Sequence, residues 1–183
     1  MMADVLKAGR GLELRPLSLR DAKILFPLVE ANRERLRRWL PWPDANRSVL
    51  DTRAFIVRVR AHARAGIGQS FGVWWKGAMV GTAGFVWIDA ANHSAAIGYW
   101  LSQEAEGHGL MTAAVKTLLR HGFQTLGLNR IEIRVGVRNR RSRAIPERLG
   151  FHHEGTLRQV ERLADRYVDH AVYGMVVGEW RGR

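Results

Sequence analysis

The chain has 183 residues and no cysteine, and its 29 Lys+Arg against 17 Asp+Glu give a net charge of +12. That length fits one ordinary domain, residues 1–183, and the lack of cysteine excludes a disulfide framework, a thiolate zinc site and a cysteine nucleophile. No run approaches the roughly 18 uninterrupted apolar residues of a membrane span, so a soluble, cytoplasmic protein is expected. Arg supplies nearly all the positive charge; it steers polyanions (nucleotides, acidic proteins or RNA) without identifying one.

Leu12 to Leu17 alternates apolar with polar and reads as a first strand, at a sheet edge given Pro16. Ser18-Leu19-Arg20-Asp21 has the spacing of a capping box, and the helix it opens sets Ile24, Leu25, Leu28 and Val29 on one face. A second helical piece runs from Asn32 to Leu40, stopped by Pro41-Trp42-Pro43. Ser48 starts another helix, to about Ala65, which Gly66-Ile67-Gly68 ends. Ser70 to Trp75 and Met79 to Ile88 form a hairpin around Lys76-Gly77, with Asn92 to Leu101 antiparallel to its second strand.

A helix from Met111 to Phe123 follows, with Met111, Ala114, Val115, Leu118, Leu119 and Gly122 on one face and Gly127 closing it. Ile131 to Val135 alternates as a strand. A short helix from Arg140 to Leu149 contains Pro146, which should kink it. Strands Phe151 to Leu157 and His170 to Val177 finish the chain. This order describes an α/β (α+β) protein: a mixed, mostly antiparallel sheet of about seven strands, with helices on both faces. The crossover from Tyr99 to Val135 is expected to be parallel and right-handed.

The segment Glu106-Gly107-His108-Gly109-Leu110-Met111-Thr112 lies between a strand and a helix. Its glycines let the backbone approach a ligand, and the helix aims unpaired N–H groups and its dipole at that point. An anion, usually a phosphate, suits such a turn, although Gly-x-Gly also arises as a plain tight turn. The motif lacks the third glycine of a dinucleotide fingerprint and the Gly-Lys-Ser/Thr ending of a P-loop.

Asn139-x-x-Ser142, Leu149-Gly150-Phe151 and Glu154-Gly155 follow the next strand. With Leu14-Arg15-Pro16, Leu40-Pro41-Trp42, Gly81 with Phe85, Ile97 to Leu101, and Asp169 to Tyr173, the chain resembles the GNAT superfamily of acyl-CoA-dependent N-acyltransferases, RimJ/RimL type. That resemblance implies acetyl-CoA as acyl donor, with its diphosphate on the N–H groups of Gly107, His108, Gly109, Leu110, Met111 and Thr112. It also implies splayed strands, Ile97 to Leu101 and Ile131 to Val135, with the pantetheine arm between them. A backbone N–H near Leu101 would polarise the thioester carbonyl.

By the same resemblance Asn139 bonds the pantetheine amide, while also fitting a helix N-cap. Ser142 meets the leaving thiolate, and Glu161 is the base for the amine; a surface Glu161 paired with Arg158 or Arg162 is the alternative. Trp39 and Trp42 wall an acceptor groove flanked by arginines, or Trp39 is core. Glu106 and Met111 depart from the family pattern: the first puts a carboxylate near a phosphate site, the second replaces a small residue. No metal is expected, since the seven His lack ligand spacing and His152 and His153 point to opposite faces.

The resemblance implies acetylation of a protein N-terminal amine, a ribosomal protein among the candidates, by a homodimer. Other acceptors stay open: a small amine, an antibiotic, a Lys side chain, or another acyl-CoA such as succinyl-CoA as donor. A basic RNA- or ribosome-associated protein without turnover is the reading from a different class.

Overall fold

A computed structural model describes residues 4–182. One eight-stranded sheet carries the fold, in the order β1-β2-β3-β4-β5-β6-β8-β7. Its strands are β1 (Leu6–Gly9), β2 (Leu12–Pro16), β3 (Gln69–Trp75), β4 (Ala78–Asp89), β5 (Ser94–Leu101), β6 (Arg130–Gly136), β7 (His152–Leu163) and β8 (Arg166–Val176). All neighbours run antiparallel except β5 and β6. The helices are α1 (Ala22–Leu36), α2 (Val49–Ala65), α3 (Leu110–Arg120) and α4 (Arg140–Leu149).

Two cores cover the two faces. On one, the apolar stripe of α3 (Met111, Ala114, Val115, Leu118, Leu119) packs on Leu14, Val73, Phe85, Ile97 and Ile133, with Ile145 and Leu149 of α4 at its border. On the other, Leu25, Val29 and Leu36 of α1 and Ile56 of α2 pack on Met79 and Trp100. Each such buried side chain contributes about 1.5–3 kcal/mol of apolar transfer energy, so α3 is anchored by its stripe rather than by helix propensity.

Several expectations change, among them the edge place of Leu12 to Leu17: β2 lies between β1 and β3, and Pro16 is tolerated because it stands beyond the residues that pair with β1. A strand the sequence reading did not contain, β1, precedes the others, turning at Gly11 (φ 68°) to pair with β2; it is four residues long and alternates too briefly to stand out. The two helical pieces expected around Asn32 are one helix, α1. Asn32 is a weak helix former, but it is buried, and its Nδ2 donates to the Leu28 carbonyl at 2.9 Å while its Oδ1 accepts from the Gln103 N–H at 2.8 Å. The strands near the C-terminus reach further than expected, forming the long hairpin β7–β8 with irregularities at His153/Gly155 and Leu157/Glu161.

Helix starts follow their caps. Ser48 Oγ accepts from the Asp51 N–H at 3.2 Å, and the Asp51 carboxyl, held below its usual range mainly by the Ser48 hydroxyl, accepts from the Arg47 N–H. The expected helix to Phe123 ends as α at Arg120 and widens into a π turn over His121–Thr125. Gly122 fits there because a Cβ would stand 2.7 Å from Ile131 Cδ1.

Candidate active site

Among the described residues, the parallel pair β5–β6 is the pairing that stops early, well short of the ends of both strands. It holds Ser94↔Arg130, Ala95↔Ile131 and Ala96↔Glu132, after which the strands part. Between them opens a cleft of about 1480 Å³ whose wall includes Tyr99, Leu101, Asn139, Ser142, Glu161 and His170. The expected splay is therefore present, on the expected strands.

At one end of the cleft stands the glycine turn. Gly107 (φ 82°) and Gly109 (φ 72°) both occupy the left-handed region, where side chains other than glycine are strained. Gly109 caps α3, whose first backbone bond runs from the Ala113 N–H to the Gly109 carbonyl. The N–H groups of Leu110, Met111 and Thr112 thus have no partner within the helix, at the positive end of its dipole. Met111 is accommodated because its side chain points into the α3 core, with only its backbone left at the turn.

The His108 ring packs at a tilt against Trp75, centroids 5.0 Å apart, and does not line the cleft. Thr112 Oγ1 accepts from Arg148 at 2.9 Å. Glu106 is bridged by Arg35 of α1 and Arg141 of α4, the second at 2.5 Å, so its carboxylate is neutralised where a bare charge would repel phosphate.

Leu101 sits at the end of β5. The Ser102 N–H donates to the Val80 carbonyl at 2.7 Å, so the ladder alternation turns the Leu101 N–H and C=O away from β4, toward the gap. Arg35 takes the Leu101 carbonyl, which leaves the N–H facing the cleft.

On the far wall Asn139 lines the cleft while its Oδ1 accepts from the Ser142 N–H at 3.2 Å, so it caps α4 as well. Ser142 Oγ lies 3.3 Å from the Tyr99 hydroxyl. Burial pushes the Tyr99 hydroxyl well above its ordinary range, so it stays protonated. Glu161 pairs with neither Arg158 nor Arg162. Its Oε2 lies 3.3 Å from His170 Nε2, and both side chains line the cleft.

Trp39 lines the cleft, with its ring edge 3.5 Å from where a Cβ on Gly136 would stand. Trp42 instead packs against Trp100 in the second core, ring centroids 6.1 Å apart, outside the cleft wall. Sequence reasoning assigned no role to Tyr99 or His170, and it placed Arg35 among the arginines flanking the acceptor groove, whereas Arg35 holds Glu106 and the Leu101 carbonyl. Tyr99 stood within a quoted motif; His170 reaches Glu161 only through the irregular register of the β7–β8 hairpin. Among the described residues no group of three His, Asp or Glu gathers in metal-binding geometry, and no helix is long and apolar enough to cross a membrane.

A backbone-lined anion site, an open strand pair, a hydroxyl between them and a carboxylate beyond can hold an acyl thioester and accept a proton from its attacker. Known proteins share this frame. An acetyltransferase (GNAT) domain model matches residues 11–152. YdaF of Bacillus subtilis (strain 168) is 35% identical over 96% of this chain and 97% of its own length. The ribosomal-protein-serine acetyltransferase of Escherichia coli (strain K12) is 32% identical over 96% of this chain and 98% of its own. Among solved structures, the ribosomal L7/L12 α-N-protein acetyltransferase RimL in complex with coenzyme A superposes with a TM-score of 0.92 at 28% identity, covering 94% of this chain and 98% of that one. The microcin C7 self-immunity acetyltransferase MccE, bound to acetyl-CoA and AMP, gives 0.89 at 28% identity, covering 93% and 95%. This chain belongs to the GNAT acetyltransferase family.

Proposed function

We propose that this chain, acting as one acyltransferase domain, moves the acetyl group of acetyl-CoA to the N-terminal α-amine of a protein, with a ribosomal protein as acceptor. The observation that carries this is the parting of β5 and β6, with an amide-lined turn at one end and the Glu161–His170 pair at the other. The names of the E. coli relative and of RimL support the acceptor.

In this mechanism the N–H groups from Gly107 to Thr112 hold the diphosphate, and Asn139 meets the pantetheine. The Leu101 N–H faces the thioester carbonyl and stabilises the oxyanion as the amine adds. An α-amine is roughly one-third neutral at pH 7.5, against about one part in a thousand for Lys, so a modest base suffices for an N-terminus. Glu161 takes the proton the amine loses, directly or through water. The C–S bond then breaks, and its electron pair leaves on sulfur. A thiol with pKa near 8.5 leaves readily as thiolate, so a hydrogen bond from Ser142 is sufficient help. Trp39 walls the acceptor groove; the place of Trp42 against Trp100 supports an indirect part, bracing that wall.

Arg38, next in the chain to Trp39, and Arg166 stand together, Arg166 donating to the Arg38 carbonyl at 3.0 Å. They favour an acidic acceptor by long-range attraction. Cytoplasmic location and a homodimer are part of the proposal on family resemblance, the second open to sedimentation analysis.

The test is thiol release from acetyl-CoA with peptides copying ribosomal-protein N-termini, beside small amines, an antibiotic amine, blocked-N-terminus Lys peptides and succinyl-CoA. Fast turnover of N-terminal peptides alone is expected. Preference for a small amine or Lys moves the acceptor. Salt-sensitive RNA binding without any acyl-CoA binding overturns the enzyme reading in favour of an RNA-associated protein.

A further inference from the structure

In an α-helix the carbonyl of residue i accepts from the N–H of residue i+4. For Ser142 in α4 that partner is residue 146, which is proline and has no N–H. A carbonyl so left inside the protein needs another donor. The donor comes from a different element: the Tyr99 hydroxyl, on β5, donates to the Ser142 carbonyl at 3.0 Å. The same hydroxyl oxygen lies 3.3 Å from Ser142 Oγ. One phenol thus touches both polar ends of one residue, across the gap that the acyl donor must enter.

We propose that Tyr99 is the positioning residue for Ser142: Pro146 opens the Ser142 carbonyl, Tyr99 fills it, and Ser142 Oγ is thereby held for the departing sulfur. The inference rests on the reading of Ser142 given above. At rest the Ser142 hydroxyl donates to the Tyr99 oxygen, and the Tyr99 proton goes to the carbonyl. As the C–S bond breaks and its electron pair moves to sulfur, the Ser142 hydroxyl turns from the Tyr99 oxygen to sulfur while the Tyr99 proton stays on the Ser142 carbonyl. The anchor on its carbonyl keeps Ser142 in place at the gap, so the thiolate meets a donor that is already oriented. No proton changes owner in this chain; the proton lost by the amine leaves through Glu161. The helix interruption expected to be a mere kink becomes the device that couples α4 to β5.

The experiment is a double-mutant cycle in the intact enzyme. Tyr99→Phe keeps the ring and removes only the hydroxyl; it is expected to lower kcat about tenfold, the worth of one hydrogen bond, with KM for acetyl-CoA changed less than about twofold. In a Ser142→Ala background the same change is expected to alter kcat less than about twofold, because its target is gone. Equal losses in both backgrounds, or no loss with Ser142 present, overturn the positioning role.

Pro146→Ala is the second arm, independent of whether Tyr99→Phe folds. It supplies the Ser142 carbonyl from within the helix and is expected to lower kcat about threefold, again only with Ser142 present. An unchanged kcat overturns the part given to Pro146. Ser142→Ala with unimpaired turnover is the distinct result that sinks the reading of Ser142 and this inference with it.

Discussion

Strand β6 has two neighbours, and they treat it differently. Toward β8 it pairs along its whole length, seven residues from Arg130↔Val176 to Gly136↔His170. Toward β5 it pairs over three and then parts. The side chains give no hint of this, since Ile131, Ile133 and Val135 are equally buried along the strand. The difference lies in backbone groups: the closed side uses its hydrogen bonds for stability, and the open side leaves them unpaired by the sheet, where the proposed acyl donor would add itself as a strand. Substitutions on the closed side should therefore move stability, and those on the open side turnover.

The largest separation is expected from Met175→Ala on β8. Met175 is 2% exposed in the α3 core and lies off the cleft. The change should cost about 3 kcal/mol in denaturant unfolding while kcat of the folded enzyme holds, and a kcat loss matching the stability loss would break the comparison. Glu161→Gln should do the reverse, lowering kcat about a hundredfold with the unfolding midpoint nearly fixed, as steady-state rates and melting will report. At the mouth of the open side, Gly109→Ala forces a left-handed φ of 72° on a residue with a Cβ. It should weaken coenzyme binding by roughly fivefold in calorimetry, with about 1 kcal/mol of strain as the cause.

The smallest effect belongs to neither side. Burial beside Phe71 and Phe85 lowers the pKa of His121, which also meets Gln69 Oε1 at 3.0 Å. The unfolded chain binds the proton more readily, so the neutral ring's full contribution is present above its unfolded value of about 6.5 and is lost as pH falls below it. His121→Phe should flatten the fall of melting temperature between about pH 7 and pH 5 without changing kcat; an unchanged slope removes His121 as its cause.

What could be read from the sequence was local. The glycine turn and Asn139-x-x-Ser142 each announce themselves within a few residues, because φ signs and N-caps are properties of adjacent positions. Tyr99 with Ser142 and Glu161 with His170 are contacts across the gap or across an irregular hairpin, and no spacing reveals them. The second helical piece read from Asn32 is a continuation of α1, because the buried Asn32 amide satisfies two elements at once without breaking the helix. Trp42 carried the right residue type in the right neighbourhood, yet a neighbouring Trp100 holds it one layer away from the cleft.

Glu106 has a consequence for how the enzyme meets salt. Its carboxylate supplies Arg35 and Arg141 with a counter-ion that belongs to the chain itself. Fewer mobile anions need to gather there, and fewer are shed when the coenzyme's phosphates take over their share of that company. Arg141, whose side chain is 84% exposed, can change allegiance, while Arg35 stays tethered to the Leu101 carbonyl. Coenzyme affinity should then fall only gently with added potassium chloride, and more steeply once Glu106→Gln leaves the two guanidinium groups to recruit chloride in its place.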